Sequence, residues 1–276
     1  MNTARSGEDL LKICDEEGIS LSEYAIRVET ENRDTTREDI IRRMKKNLHV
    51  MQEAAYEGME KEVYSVSGLI GGDGYKLNNY LKNGENLTGD TTIRAMAMAL
   101  SSSEVNASMG RIVACPTAGS CGILPAVILS AGEKLKASED ELIKGLLAAS
   151  SVGMIIGMNA TLSGAEGGCQ AECGSAAAMG AAAVVEMMGG TPKMSLDAAA
   201  IVIKNILGLV CDPVAGLVEI PCAKRNAAGA ISALCTADMV MAGVRSYIPF
   251  DDTVSAMYRV GKSLHLPLPY QQYIMH

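Results

Sequence analysis

Hydrophobic residues recur along most of this chain at the three- and four-residue spacing of an α-helix. The clearest case is one face of a single long helix, with apolar positions Ile40, Met44, Leu48, Met51, Ala55 and Met59. The alternation of apolar and polar residues that marks a half-buried strand is almost missing from the sequence. We therefore predict an all-α fold, a compact multi-helix domain whose helices are joined by glycine-rich turns.

Polar residues predict where several of these helices begin. Thr35 with Glu38 has the spacing of a capping box before the long helix, and Ser138 with Glu141 repeats the pattern. Both pairs can satisfy backbone N–H groups of a first helical turn. We predict helix starts at these two positions.

Two further helices are predicted in the second half of the chain. One begins at Ser195 and ends near Gly208, because glycine is common just after a helix. The last one is capped by Asp251 or Asp252 and continues through Val260.

The distribution of charge and small residues indicates one domain with two differently composed regions. A charged helical region covers about residues 1–64, and glycine and alanine are frequent afterwards. We predict a single domain over 1–276. The longest apolar stretch, 142–162, contains Lys144 and several Gly and Ser residues, so we predict a buried central helix instead of a membrane span.

The overall charge argues against nucleic acid as a partner. The formal net charge is −8 and the pI is near 5.0. The basic cluster Arg42, Arg43, Lys45 and Lys46 lies on a Glu-rich helical stretch, which indicates a solvated helix face. The N-terminal segment is polar and acidic, so we expect no secretory signal, a cytoplasmic protein, and reduced thiols in place of disulfides.

Three turns combine glycines with hydroxyl side chains. They cover residues 65–74, 115–122 and 163–169. Glycine lets backbone N–H groups point toward a ligand, and a following helix N-terminus favours an anion. Such turns suit a small carboxylate substrate, although tight helix–helix connections would have a similar composition.

The stretch from Glu166 to Cys222 holds four of the eight cysteines, at turns rich in glycine, proline and small residues: Cys169, Cys173, Cys211 and Cys222. Thiolates at turns are typical ligands of iron–sulfur clusters and zinc. A close CxxC pair, which zinc favours, does not occur in the sequence. Spacing alone does not select the ligands, and buried structural thiols remain an alternative to metal binding. Cys14 and Cys235 fall in helical patterns, and we predict both in the core.

Four long motifs resemble one known family. They are SGLIGGDGYKL (67–77), ACPTAGSCGILPAVI (114–128), SGAEGGCQAECGSAAAMGAAA (163–183) and CDPVAGLVEIPCAKRNAAGA (211–230). Together they are similar to the α subunit of bacterial iron–sulfur-dependent L-serine dehydratases. The likeness implies an all-helical catalytic domain with a [4Fe–4S] cluster on Cys169, Cys211 and Cys222. One iron would remain open as a Lewis acid for the hydroxyl that leaves.

The resemblance also implies the substrate and the residues that hold it. L-serine would lose water to give aminoacrylate, which becomes pyruvate and ammonia without pyridoxal phosphate. The carboxylate and amine would be held by the glycine turns, at Ser67, Gly68, Gly71, Gly72, Thr117, Ala118, Gly119 and Ser120. Glu166 either pairs with the substrate ammonium or is simply an acid of a first helical turn.

No general base is apparent among the motifs. The three histidines, His49, His265 and His276, all lie outside them. In the resembling family a Ser-Ser-His segment belongs to a β subunit or to an N-terminal domain, so we predict a β-subunit partner that supplies the base. After Ser263 the sequence departs from the family pattern and has no cysteine, so we expect no self-capping of the open iron.

Two other functions remain open at this point. The first is a related small-amino-acid lyase with the same cluster, such as a cysteine desulfidase. The second is a non-catalytic subunit that acts as a scaffold for a partner.

Overall fold

The structure, a computed structural model, describes residues 3–264. This part of the chain contains twelve α-helices. They are α1 (Gly7–Glu17), α2 (Leu21–Asn32), α3 (Arg37–Glu60), α4 (Asp73–Asn83), α5 (Asp90–Ala107), α6 (Ile123–Leu135), α7 (Glu139–Asn159), α8 (Gly164–Gly167), α9 (Cys169–Met187), α10 (Pro192–Ile206), α11 (Cys222–Met241) and α12 (Phe250–Ser263). No β-strand occurs between residues 3 and 264, which confirms the all-α prediction. The single-domain boundary, 1–276, stays a prediction.

Helix α9 lies at the centre of the fold, and nearly all of its residues are buried. Helices α6, α7, α10 and α11 pack around it. Alanine and glycine make this close packing possible: a Cβ on Gly180 would lie only 3.1 Å from Cγ1 of Val127 in α6. A helix that is apolar on every side belongs in a core. The residues at the start of α9 therefore belong to a buried helix.

Helix α7 is the buried central helix expected from the long apolar stretch. Its capping box at Ser138 and Glu141 is present as predicted. By length and composition α7 could cross a membrane, but 56% of its most apolar window is buried inside the protein. It packs on α2 and α9, and Ser151 Oγ donates a hydrogen bond to the Leu21 carbonyl oxygen at 2.7 Å. These contacts favour a core helix.

Two predicted helix starts are wrong. The N-cap of α3 is Thr36 and not Thr35, because Thr36 Oγ1 accepts the hydrogen bond from the Asp39 backbone N–H. Helix α10 begins at Pro192, three residues before Ser195, after an N-cap at Thr191. Pro192 occupies the first helical position, where its fixed φ suits the helix and its missing N–H has no cost.

The predicted cap of the last helix has a different role. Pro249 precedes α12, which continues to Ser263, so neither Asp251 nor Asp252 is its N-cap. Asp251 instead accepts hydrogen bonds from the backbone N–H groups of Gly7 at 2.6 Å and Glu8 at 3.0 Å. A carboxylate at a helix N-terminus is favourable, so Asp251 joins α12 to the beginning of α1.

The prediction that the basic cluster is solvated is confirmed, but only one of the two cysteines predicted in the core is buried. Arg42 and Lys45 are exposed and pair with Asp39 and Glu139. Cys14 is buried, as predicted. Cys235 is exposed, because it lies on the outer face of α11; helical spacing alone did not identify that face.

We predict that Asp251→Ala lowers the free energy of unfolding by about 1 kcal/mol, because it leaves two N–H groups of α1 without their acceptor. Denaturant unfolding of the full chain measures this change. Asp252→Ala is the matched control: Asp252 is the exposed neighbour in the same first turn, and its replacement should leave the stability near that of the unmodified protein. Equal losses in both variants would contradict the assigned contact.

Candidate metal and substrate site

The four cysteines near glycine or proline come from three separate parts of the fold. Cys169 and Cys173 lie at the start of α9, Cys211 lies in the loop that follows α10, and Cys222 is the first residue of α11. The buried Gln170 side chain fastens the loop to α9, since its Oε1 accepts from the Gly208 backbone N–H at 2.9 Å. The chain must therefore fold before these thiols meet.

The thiols interact electrostatically around Cys169. A hydrogen bond from Cys173 and the nearby Arg225 guanidinium lower the pKa of Cys169. Burial raises the pKa of Cys211 to about 11, and the charge and hydrogen bond of Cys169 add to this. Burial, followed by the charge of Cys169, raises the pKa of Cys222 to about 12. The charge of Cys169 thus acts on both Cys211 and Cys222, the distant members of the predicted ligand set.

A tight group of possible metal ligands includes Cys169 but differs from the predicted set. The thiols of Cys169 and Cys173 and a carboxylate oxygen of Glu172 lie within 4.8 Å of one another. Soft thiolates in this number suit an iron–sulfur cluster or zinc better than a hard cation. The donor set therefore fits a metal group held by cysteine, with Cys169 common to both possible ligand sets.

Arg225 provides positive charge at the thiols. Its Nη1 donates to the Cys169 Sγ at 3.2 Å, to the Val210 carbonyl oxygen at 3.2 Å and to the Asp212 carboxylate at 2.5 Å. A guanidinium beside a thiol favours the thiolate, which is the form that binds a metal. Arg225 was missed in the sequence, although it lies three residues after Cys222 within a quoted motif.

Glu172 joins the second and third glycine turns. Thr117 Oγ1 donates to its Oε1, and Ser120 Oγ lies 3.1 Å from the same threonine hydroxyl. A Cβ on Gly119 would lie 2.6 Å from Glu172 Oε1, and one on Gly164 would lie 2.8 Å from Oε2. The carboxylate thus packs closely against these two glycines, which a spacing argument did not reveal.

Asn226 holds the second turn against α11. The side chain is fully buried, and its Oδ1 accepts from the Gly122 backbone N–H at 2.9 Å. Its Nδ2 donates to the carbonyl oxygens of Gly119 at 2.7 Å and Cys222 at 2.9 Å. One amide thus fixes the turn relative to a predicted metal ligand.

The first turn reaches the same region through two acidic residues. Ser67 Oγ donates to Glu219 Oε2 at 2.7 Å, and Glu219 is buried three residues before Cys222. Lys224 of α11 binds the Asp73 carboxylate at 2.6 Å. All three glycine turns therefore connect to the elements that carry the cysteines.

Within the first turn, backbone geometry explains the glycines. Gly68 and Gly72 have φ of 77° and 71°, in the left-handed region that favours glycine. Buried Glu104 accepts a hydrogen bond from the Asp73 backbone N–H at 2.6 Å, and burial raises the pKa of this carboxyl group to about 7. The sequence offered no signal for Glu104, which lies in an otherwise small-residue helix.

The remaining predicted substrate residues lie in three separate places. Ala118 and Gly119 form the short 3-10 turn beside Glu172 and Asn226, and Gly71 closes the first turn against Tyr64. Glu166 is exposed in α8, and its Oε2 accepts from Thr161 Oγ1 at 2.7 Å. That contact agrees with an acid of a first helical turn, the second of its two predicted roles.

His49 is the one histidine in the described residues, and it lies on α3. Its Nε2 is 2.8 Å from Glu139 Oε1 at the protein surface. His265 and His276, together with the rest of the divergent tail, lie outside the described residues.

Comparisons with known proteins agree on one family. A family model described as serine dehydratase alpha chain matches residues 16–268. The L-serine dehydratase alpha chain of Peptoniphilus asaccharolyticus is 46% identical over 96% of this chain and 89% of its own length. A protein of Bacillus subtilis (strain 168) named "Probable L-serine dehydratase, alpha chain" is 48% identical over 94% of this chain and 86% of its own length. An L-serine dehydratase of Escherichia coli (strain K12) is 36% identical, and the chain covers 58% of it.

We predict that Asn226→Ala lowers the free energy of unfolding by about 1–3 kcal/mol, because it leaves a buried N–H and two buried carbonyl groups with fewer partners. Thermal or denaturant unfolding measures the loss. Asn106→Ala is the matched control, since Asn106 donates to the Ala118 carbonyl oxygen of the same turn at 3.3 Å from the exposed side. A smaller loss from Asn226→Ala than from Asn106→Ala would contradict the assigned role.

Proposed function

The chain belongs to the family of serine dehydratase alpha chains, a lyase family, and on this premise we propose that it converts L-serine to pyruvate and ammonia by dehydration. The observation that carries the proposal is the charge interaction of Cys169 with Cys211 and Cys222, on elements to which the glycine turns are hydrogen-bonded. We propose that a thiolate metal site and a site for a small carboxylate are adjacent there, as the dehydration of an amino acid requires.

The proposed cofactor is a [4Fe–4S] cluster held by Cys169, Cys211 and Cys222. When bound, a cluster on three thiolates supplies a Lewis acid for the hydroxyl that leaves. The chain's own residues prepare this site: Arg225 stabilises the Cys169 thiolate, and Asn226 orients the backbone at Cys222. We propose no role for pyridoxal phosphate.

The substrate carboxylate is proposed to bind backbone N–H groups of the first two turns. Ser67 and Thr117 each have a hydroxyl fixed by a carboxylate, Glu219 and Glu172 respectively. These hydroxyls donate their single hydrogen to the acids, and the N–H groups of Gly68 and Gly72 already donate to backbone carbonyl oxygens at 3.1 Å, so the anion is assigned to other N–H groups of the turns. The turns thereby orient L-serine without a bulky side chain near it.

A β subunit is proposed to complete the site. The described residues place no histidine at the cysteines, and two similar relatives are named alpha chains. The Escherichia coli relative extends well beyond the region that matches this chain. We propose that a partner supplies the base that removes the α-proton. All eight cysteines are free thiols, which supports the proposed cytoplasmic location.

The proposed function makes a prediction about the metal ligands. Cys169→Ser, Cys211→Ser and Cys222→Ser should each lose the iron that the anaerobically reconstituted full chain binds, about four atoms per chain for one such cluster. Cys173→Ser and the exposed Cys235→Ser should retain it. Iron and sulfide analysis with an absorption spectrum measures the result.

The Cys173 variant separates the two possible ligand sets. If Cys173→Ser loses the metal while Cys211→Ser and Cys222→Ser retain it, the group of Cys169, Glu172 and Cys173 is the metal site and the proposed set is wrong. A single zinc in the unmodified protein would also overturn the cluster proposal.

The proposed function also makes a prediction about the β subunit. The purified, iron-loaded chain should show little L-serine dehydration under anaerobic conditions, because the proton-abstracting group is missing. Addition of the cognate β subunit should restore pyruvate formation, measured by a coupled assay. Full turnover by the chain alone would show that the base belongs to this chain.

A further inference from the structure

Glu172 is a carboxylate within the candidate site, and the proposed function so far uses only one of its two oxygens. It lies between Cys169 and Cys173 at the start of α9 and is only partly exposed. Its Oε1 accepts the hydrogen bond from Thr117 Oγ1. Among residues 3–264, no group donates a hydrogen bond to its Oε2. The second oxygen is therefore available to a ligand.

The protein surrounds this carboxylate with two backbone turns in place of side chains. A Cβ on Gly119 or Gly164 would come within 2.6 Å or 2.8 Å of its two oxygens. The carboxylate therefore packs directly against both turns. The carboxylate is also fixed, since a side chain pressed between two turns has few alternative rotamers.

The charge of Glu172 has no basic partner among the described residues. The two basic residues of α11 that follow Cys222 are already paired: Arg225 binds Asp212 at 2.5 Å, and Lys224 binds Asp73 at 2.6 Å. The Thr117 hydroxyl replaces only part of the solvation that a partly buried carboxylate without a cation loses. The site would therefore gain from a small cationic ligand.

We propose that Glu172 binds the α-ammonium group of the amino-acid substrate through Oε2, while Thr117 holds Oε1. The inference rests on the proposed function, because it assigns one group of L-serine to one side chain. The carboxylate lies within 4.8 Å of the thiols of Cys169 and Cys173. A three-carbon amino acid held there reaches the metal site with its hydroxyl. Glu172 thus selects amino acids over hydroxy acids of the same length.

Glu166 is the competing residue and supplies the matched control. It precedes Glu172 by six residues in the same motif, but it is exposed and accepts a hydrogen bond from Thr161. Its replacement should not affect substrate binding. The same pair of variants therefore separates the two acids of this motif.

The test measures binding by anaerobic calorimetry on the iron-loaded full chain, with L-serine and 3-hydroxypropanoate, which lacks the ammonium group. Loss of a charged hydrogen-bond partner in Glu172→Gln should weaken L-serine about ten- to hundredfold. Binding of 3-hydroxypropanoate should stay unchanged. Glu172→Asp should recover part of the L-serine affinity, and Glu166→Gln should bind both probes like the unmodified protein.

Each other outcome has a defined meaning. Equal weakening of both probes in a Glu172→Gln variant that retains its iron, or selective loss of L-serine in Glu166→Gln, would overturn the inference. Loss of iron from Glu172→Gln would make the carboxylate a metal ligand and overturn it as well. If the unmodified protein binds no L-serine, the proposed function fails first, and this inference fails with it.

Discussion

The contacts of Arg225 are the constraint on which the candidate site depends. Its guanidinium, at the start of α11, binds the Cys169 thiol of α9 and the Asp212 carboxylate of the intervening loop. The three elements that supply the proposed metal ligands are thus joined through one positive charge. Buried thiols without such a charge favour their protonated, non-ligating form. The interior of the protein tolerates a thiolate at Cys169 because Cys173 donates a hydrogen bond to it and Arg225 lies beside it.

Two acids and one buried amide position the substrate side of the site. Glu172, Glu219 and Asn226 each connect a glycine turn to the start of α9 or α11. These contacts use side chains whose backbones belong to packed helices or to the loop next to Cys222. The turns are therefore positioned by the core. Glycine is favoured where φ is positive, and two glycines pack directly against the Glu172 carboxylate.

The sequence predicts the helices better than their ends. The apolar spacing from Ile40 to Met59 identifies α3 because one buried face repeats through the entire helix. Asp251 was misassigned because its partners, the N–H groups of Gly7 and Glu8, are more than 240 residues away in the chain. At the site, family motifs identify candidate cysteines and turns. Glu172 and Asn226 acquire their roles only through tertiary contacts, which no local pattern contains.

The central claim is that Cys169, Cys211 and Cys222 hold an iron–sulfur cluster next to the turns that bind L-serine. Mössbauer spectroscopy of the anaerobically reconstituted chain, enriched in ⁵⁷Fe, tests it most directly when spectra are compared with and without L-serine. The account predicts that one iron of about four changes its Mössbauer signal on addition of L-serine. It also predicts that 3-hydroxypropanoate changes the signal of the same iron, but only at a higher concentration than L-serine does. A spectrum that L-serine leaves unchanged for every iron, or a protein that assembles no cluster, would contradict it.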